Sequence, residues 1–458
     1  MTTISIDELR TGVEGRVVGP GDEGYDEARA VFYGGIDKRP VAIVRVANDS
    51  DVSRVIALAR ETGFELAVRS GGHSIPGHSV SDGGIVLDLA DMRGIDVDAE
   101  GRTAWAETGL TAMEVTTAAA AHGLAIGFGD TGSVGIGGIT LGGGVGYLSR
   151  KFGLTIDDVL AADVVTADGE VRRVDAETEP DLFWAIRGGG GNFGVATRFR
   201  FRLHELAGVV GGMLFLPATI ETIAGFIEAA EAAPEELSTI ANVMPAPPMP
   251  FVPEEQHGKP VIFGLVCFAG DEEDGERALT QFRGLAEPIA DMVKPIPYPE
   301  IYPPEEEGYH PIATGHTMFM DTVGRAEAGT ILEHLAASTA MMRVAQLRVL
   351  GGAVTRVPAD ATAFAHRRSR IMVNVAAVYD RVEDRPTHEP WVRGFAAALH
   401  QGDDGAYVNF LGDERAERVR AAYPGGTWDR LRRIKASYDP TNLFRLNQNI
   451  PPADGAGW

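Results

Sequence analysis

The chain has 458 residues, 44% hydrophobic and 23% charged, the balance of a water-soluble globular protein long enough for two domains. Its 41 Lys and Arg against 65 Asp and Glu leave a net charge of −24, which repels phosphate backbones and anionic lipid and argues against nucleic-acid or membrane-surface roles. With one cysteine it forms no intrachain disulfide and no multi-thiolate metal site.

In chain order, Met1 to Gly12 carries Asp7 and Glu8 without an apolar core, so it does not read as a signal peptide. No apolar run reaches the length of a membrane span, and the expected location is the cytoplasm. Pro40–Val46 predicts a strand. Asn48 to Asp51 caps a helix running to about Thr62, with Val52, Val55, Ile56 and Ala59 on one face. Phe64–Val68 predicts a second strand, which delivers the chain into Arg69-Ser70-Gly71-Gly72-His73-Ser74, and Ile85–Leu89 a third. Such β-α-β order feeding a glycine loop is how α/β folds bring backbone up to phosphate.

Ala118–His122 ends a helix, and glycine-rich loops fill Gly127–Gly146. Ala162–Val174 is a hairpin signature, two β-rich runs around Asp168-Gly169. Leu182–Ile186 predicts a helix, Arg187–Gly194 a third glycine loop, and Val195–Leu203 a strand. Beyond residue 206 the texture changes. Helices are predicted at Ile220–Ala232 and Ala326–Met342, and strands at Val261–Phe268, Met318–Asp321 and Ile371–Tyr379. Proline-rich passages at Pro245–Pro260 and Pro295–Pro311 read as ordered surface loops, and Trp428–Ser437 predicts a last helix before the tail. Cys267 sits in an apolar run as a buried strand cysteine.

Gly189-x-Gly191-x-x-Gly194 matches the dinucleotide fingerprint literally, but a helix precedes it and a strand follows, the reverse of what that fingerprint requires. Gly142-Gly143-Gly144-x-Gly146 lacks the Lys-Ser/Thr of a nucleoside-triphosphate loop. Each glycine loop alone reads as a tight turn. Together their doublets and triplets exceed what turns require, and successive N–H groups of such loops cradle anions. No His, Asp and Glu cluster has metal-ligand spacing, and no Gly-x-Ser-x-Gly elbow points to a hydrolase.

At these residues the chain resembles the flavin oxidase superfamily of vanillyl-alcohol oxidase and p-cresol methylhydroxylase, and within it the berberine-bridge-enzyme-like branch. The resemblance is carried by Arg69–Ser74, by Gly132-Ser133-Val134-Gly135-Ile136-Gly137-Gly138 with Leu141–Gly146, by Arg187–Val195, and by Tyr438–Pro451 with its Asn447-Gln448-Asn449. It implies an α+β, two-domain FAD-binding fold of the p-cresol-methylhydroxylase type. Residues 1–205 and 412–458 would form the FAD-binding domain, and 206–411 a substrate domain of antiparallel sheet backed by helices.

The resemblance further implies FAD bonded covalently to His73 at the flavin 8α-methyl carbon. Many members of the branch add a cysteinyl bond just before the Gly-x-Gly-Gly run. Thr131 stands there and the lone cysteine is distant, so a single covalent bond is expected, as in the 6-hydroxynicotine oxidase type. That weakens the case for a large sugar substrate. Ser70, Gly71, Gly72 and Ser74 would hold the diphosphate, and Pro40 would pack on the adenine side. Arg69, Thr131, Ser133, Gly137, Gly138, Gly142, Gly143, Val145, Gly194 and Val195 complete the expected cofactor contacts. Asn447 and Asn449 would meet the isoalloxazine edge, or else cap the tail locally.

The implied reaction moves a hydride from an alcohol or amine carbon to flavin N5, with O2 reoxidation to H2O2. A flavin dehydrogenase with another acceptor and a non-catalytic flavin-binding protein are the alternatives. Tyr407, in Tyr407-Val408-Asn409, is the expected base, with an ordinary inward-facing aromatic as the other reading of the same residue; Tyr379 is the second candidate. A small-molecule substrate and O2 are the expected partners; substrate identity and oligomeric state stay open.

Overall fold

The computed structural model describes residues 5–304 and 308–453. The reading of the first twelve residues therefore falls partly outside the described residues, at Met1–Ile4; Ser5 caps a helix at Ile6–Gly12. The segment 305–307 of the second proline-rich passage and the last five positions, 454–458, likewise lie outside them.

A small four-stranded sheet opens the chain, in the order Arg16–Val18, Ala42–Arg45, Ile85–Asp88, Leu66–Arg69. Its last three strands are parallel, as a β-α-β path demands. The crossover helix Asp49–Thr62 starts where Asn48 accepts the Asp51 N–H at 3.0 Å and stops at Gly63, whose φ of +74° only glycine adopts readily. Val52, Val55 and Ile56 are fully buried against the sheet, each contributing roughly 1.5–3 kcal/mol of burial free energy. A second sheet of five antiparallel strands runs Ile95–Asp98, Thr103–Glu107, Val195–Arg202, Val159–Val165, Val171–Asp175. Its last two strands are the hairpin expected around Asp168-Gly169.

The third sheet has eight strands and is antiparallel where it pairs. Its order is Ala290–Asp291, Val209–Pro217, Pro260–Phe268, Leu237–Pro245, Met342–Val349, Ile371–Tyr379, Ile312–Met320, with Lys294–Ile296 alongside Val209–Pro217. Helices Ile220–Ala232, Arg325–Ala337 and Arg385–Leu399 cover one face through Phe226, Ile331 and Phe395. The expected fold class is borne out: α+β, with a helix-backed antiparallel sheet. Among the described residues no helix is long and apolar enough to cross a membrane.

Two element readings change. The helix expected to reach Met342 ends at Ala337, and Met342 begins a central strand. The strand expected at Met318–Asp321 begins six residues earlier, at Ile312, because its first half is only partly buried and lacks an apolar signature.

Candidate active site

A cavity of about 320 Å³ lies where the first two sheets, the tail and the 407–411 segment meet. Strand Leu66–Arg69 feeds the first loop into it. Arg69 is buried and anchored by Asp88 Oδ2 at 2.7 Å and the Ala28 carbonyl at 2.6 Å, so it braces the loop. It faces not this cavity but a second hollow of about 630 Å³ on the loop's other side. Ser70 Oγ donates to the Thr108 carbonyl at 2.5 Å and accepts the Gly137 N–H at 3.3 Å, tying the first loop to the second. Gly71 and Gly135 lie backbone to backbone, and a Cβ on either would overlap the other's nitrogen. Glycine is required there by approach and at Gly72 by φ of +74°.

His73 is held on two sides. Its ring stacks on Phe32 with centroids 4.0 Å apart, and its Nε2 lies 2.9 Å from Ser133 Oγ. Ser74 Oγ accepts the His78 N–H at 3.1 Å. Thr131, Gly137, Gly138, Val145, Gly194 and Val195 line the cavity. Gly142 and Gly143 do not; they let the second loop pack on Asn409 and on Tyr407 with Phe364.

Tyr407 is buried, and its hydroxyl oxygen accepts from Gly144 N–H at 2.9 Å, Val145 N–H at 3.3 Å and Asn409 Nδ2 at 2.9 Å. Asn409 also donates to the Ile139 carbonyl at 3.1 Å, which fixes its amide. Burial pushes the Tyr407 pKa up from the usual tyrosine value, while these donors favour the phenolate and pull it down. Tyr33 at the rim is pushed up to about 12 by burial with Asp130 nearby, and His78 down to about 4 by burial and Lys38.

The C-terminal tail closes the cavity. Asn447 Nδ2 donates to the Gly191 carbonyl at 3.2 Å; Asn192 donates to the Gln448 carbonyl at 3.1 Å and accepts the Ile450 N–H at 2.9 Å. Lys435, fully buried, donates to Asp439 Oδ2 at 2.5 Å, Asn192 O at 2.7 Å and Phe444 O at 3.0 Å. Asp439 in turn accepts the N–H groups of Leu443 and Phe444.

These atoms fit an FAD. Gly138 has open space where a Cβ would stand, beside a wall of glycine backbone that can approach a diphosphate. The buried Oδ1 atoms of Asn447 and Asn449 have no hydrogen-bond partner among the described residues, so they are acceptors in want of a donor. Ser70, Gly71, Gly72, Ser74, Gly137 and Gly138 would hold its diphosphate side, and Asn447 with Gln448 its ring edge.

Three more expected site residues lie outside the cavity lining. Tyr379 shares strand parity with Val373, Val375 and Ala377, so its ring faces the covering helices and stacks on His388 with centroids 5.0 Å apart. A base cannot act from that face. Pro40 is buried outside the cavity lining, with its carbonyl taken by the Tyr25 hydroxyl at 2.7 Å. Asn449 does not line the cavity, although its Oδ1, like that of Asn447, is buried without a partner among the described residues. Sequence reasoning missed Asn192, Lys435 with Asp439, and the ion pair of Arg348 with Asp130 at 2.5 Å. The i,i+4 spacing of Lys435 and Asp439 was a usable signal; Arg348 and Asp130, 218 positions apart, offered none.

Residues 40–175 match the family described as FAD binding domain, and 406–451 the one described as berberine and berberine like. The (R)-6-hydroxynicotine oxidase of Paenarthrobacter nicotinovorans is 31% identical over 96% of this chain and 97% of its own length. An FAD-linked oxidoreductase of Bacillus subtilis strain 168, YvdP, is 32% identical over 97% of this chain and 99% of its own. The solved structure of 6-hydroxy-D-nicotine oxidase from Arthrobacter nicotinovorans matches with a TM-score of 0.85 at 28% identity, covering 96% of this chain and 98% of that one.

Proposed function

The chain belongs to the berberine-like FAD-linked oxidoreductases, and we propose that it oxidises a small cyclic amine or alcohol, with its flavin bonded through His73 alone and Tyr407 as the base. It is an FAD-dependent oxidase acting on an alcohol or amine carbon. What supports the finer reading is that His73 and Tyr407 line the same cavity, each with its ring fixed by neighbours.

Bound there, FAD would supply the acceptor for a hydride from the substrate carbon, with O2 as the final acceptor of the electrons. The chain's own residues manage position and the proton. The Gly144 and Val145 N–H groups and Asn409 Nδ2 donate to the Tyr407 oxygen and stabilise its phenolate against the burial that raises its pKa. As the substrate O–H or N–H gives up its proton, the Tyr407 phenolate would receive it in place of one of these three donors and become the phenol. Phe32 and Ser133 hold the His73 ring in one orientation at its attachment point. A second, cysteinyl bond has no thiol to form it, since Cys267 is fully buried in the Pro260–Phe268 strand and Thr131 stands at the cavity wall. The relative named for 6-hydroxynicotine is the reason for favouring a ring amine over an oligosaccharide.

Acid precipitation tests the attachment: the wild-type pellet keeps its yellow colour, and His73→Ala releases it into the supernatant. Colour released from wild type overturns the covalent bond.

A further inference from the structure

Behind the second glycine loop lies a small cavity of about 20 Å³. One wall is the chain from Val145 into the short helix Ser149–Phe152; the other is the large sheet, at Ser238–Ile240 and Arg348–Val349. Val145 belongs to both cavities. It lines the larger one as well, and its N–H reaches the Tyr407 hydroxyl at 3.3 Å. Four residues lining the small cavity, Tyr147, Arg150, Ser238 and Arg348, are each more than nine-tenths buried. Each carries a buried side-chain atom without a hydrogen-bond partner among the described residues: the Tyr147 hydroxyl, Arg150 Nε, Ser238 Oγ and Arg348 Nη1.

All four atoms are donors: the two guanidinium nitrogens can only donate, and the two hydroxyls can. No Asp, Glu or His lines the cavity to receive them. The charges do not balance either. Arg348 is matched by Asp130 at 2.5 Å, with its Nε held by Gln346 Oε1 at 3.1 Å. Arg150 has only carbonyls, Leu350 at 2.9 Å and Ala233 at 2.8 Å, and forms no ion pair among the described residues. The carboxylates that attract it from farther off, Glu235 and Glu231, are engaged by Arg356 at 2.5 Å and Arg370 at 2.8 Å. A guanidinium is not deprotonated in proteins, and a buried charge without a counter-charge is costly.

We propose that this cavity binds a monovalent halide, chloride or bromide, which balances Arg150, accepts hydrogen bonds from the orphaned donors and clamps the second glycine loop to the large sheet. A water accepts two hydrogen bonds at most and brings two hydrogens of its own to a lining without a carboxylate, and it leaves the Arg150 charge uncompensated. A halide accepts from every side. Size agrees: a water needs roughly 10–15 Å³, so one atomic ion fits the cavity and a polyatomic anion such as sulfate or gluconate does not. The site is separate from the oxidase chemistry. It touches the flavin cavity only through the Val145 backbone that the two share.

The test is the thermal melt of FAD-loaded protein at constant ionic strength as chloride replaces gluconate. Above the dissociation constant, each tenfold rise in chloride raises the melting temperature by about 3 °C. Bromide acts alike and sulfate does not. Arg150→Met keeps the stem, deletes the charge and abolishes the dependence. Ser238→Ala deletes one donor, weakens chloride binding roughly tenfold, and carries the comparison if Arg150→Met does not fold. Wild-type crystals grown in bromide show an anomalous peak within hydrogen-bond distance of Arg150 Nε and Ser238 Oγ. A melt indifferent to chloride, an equal rise with sulfate, or a chloride dependence undiminished in either variant overturns the site. So does a bromide crystal in which water alone occupies the cavity.

Discussion

Lys435→Met isolates the device that fastens the tail. The lysine and Asp439 are both fully excluded from solvent, and methionine matches the stem while deleting the ammonium. The change leaves a buried carboxylate with two N–H donors and no counter-charge, and it takes the donor from two carbonyls. Removing one partner of such a pair costs about 3–5 kcal/mol, a large share of a typical stability of about 5–15 kcal/mol. At about 2 °C per kcal/mol for a large chain, the melting temperature falls by roughly 6–10 °C. Because the Asn192 and Phe444 carbonyls lose their common donor, the segment carrying Asn447 loosens, and flavin fluorescence rises as the ring edge is exposed to water. Adding Asp439→Asn removes the stranded charge while keeping an acceptor for one of the Leu443 and Phe444 N–H groups, and recovers about half of the loss. A Lys435→Met protein that melts within 2 °C of wild type with unchanged flavin fluorescence would refute this reasoning, and so would a double variant less stable than the single one.

Tyr407→Phe lowers the rate of flavin reduction by substrate about 10²–10⁴-fold under anaerobic stopped-flow conditions, and a loss below fivefold would remove Tyr407 as the base. It also strands the Gly144, Val145 and Asn409 donors, at about 1–3 kcal/mol in a thermal melt. Gly144→Ala sets a Cβ against Thr155 Oγ1 at a residue with φ of +78°, and costs about 2–5 kcal/mol by urea unfolding while weakening the Tyr407 contact. His78 is held near a pKa of about 4 against an ordinary value of 6.5, so the unfolded chain binds its proton first. Its stabilising contribution is complete above about pH 6.5 and is lost as pH falls toward 4. His78→Gln therefore melts closer to wild type at pH 4.5 than at pH 7.5, and parallel pH profiles would contradict the assignment.

What could be read before folding was local. The Asp49–Thr62 helix carries its own start at Asn48 and stop at Gly63, and the glycine loops announce themselves because close approach excludes every other residue. Long-range features were silent. The helix reading over Ala326–Met342 overruns the break at Ser338 to the first residue of the Met342–Val349 strand, since Ala336 and Ala337 favour helix. The strand at Ile312–Met320 hid its first half because Thr314, Gly315 and His316 lie on partly exposed positions. Tyr379 was misassigned for want of parity: a strand's residue type says nothing about which face it takes until its neighbours are placed. The Arg348–Asp130 pair exists only through the packing of a loop on a strand far along the chain, which no single segment contains.

The cavity draws one wall from the first loop and another from residues 444–448, almost four hundred positions later along the chain. During synthesis the opening loops leave the ribosome long before the closing segment exists. A nascent polypeptide therefore has half a socket and no grip on the dinucleotide. Loading waits for residues 444–448 to be translated and docked, and a message that stops before them yields a colourless product.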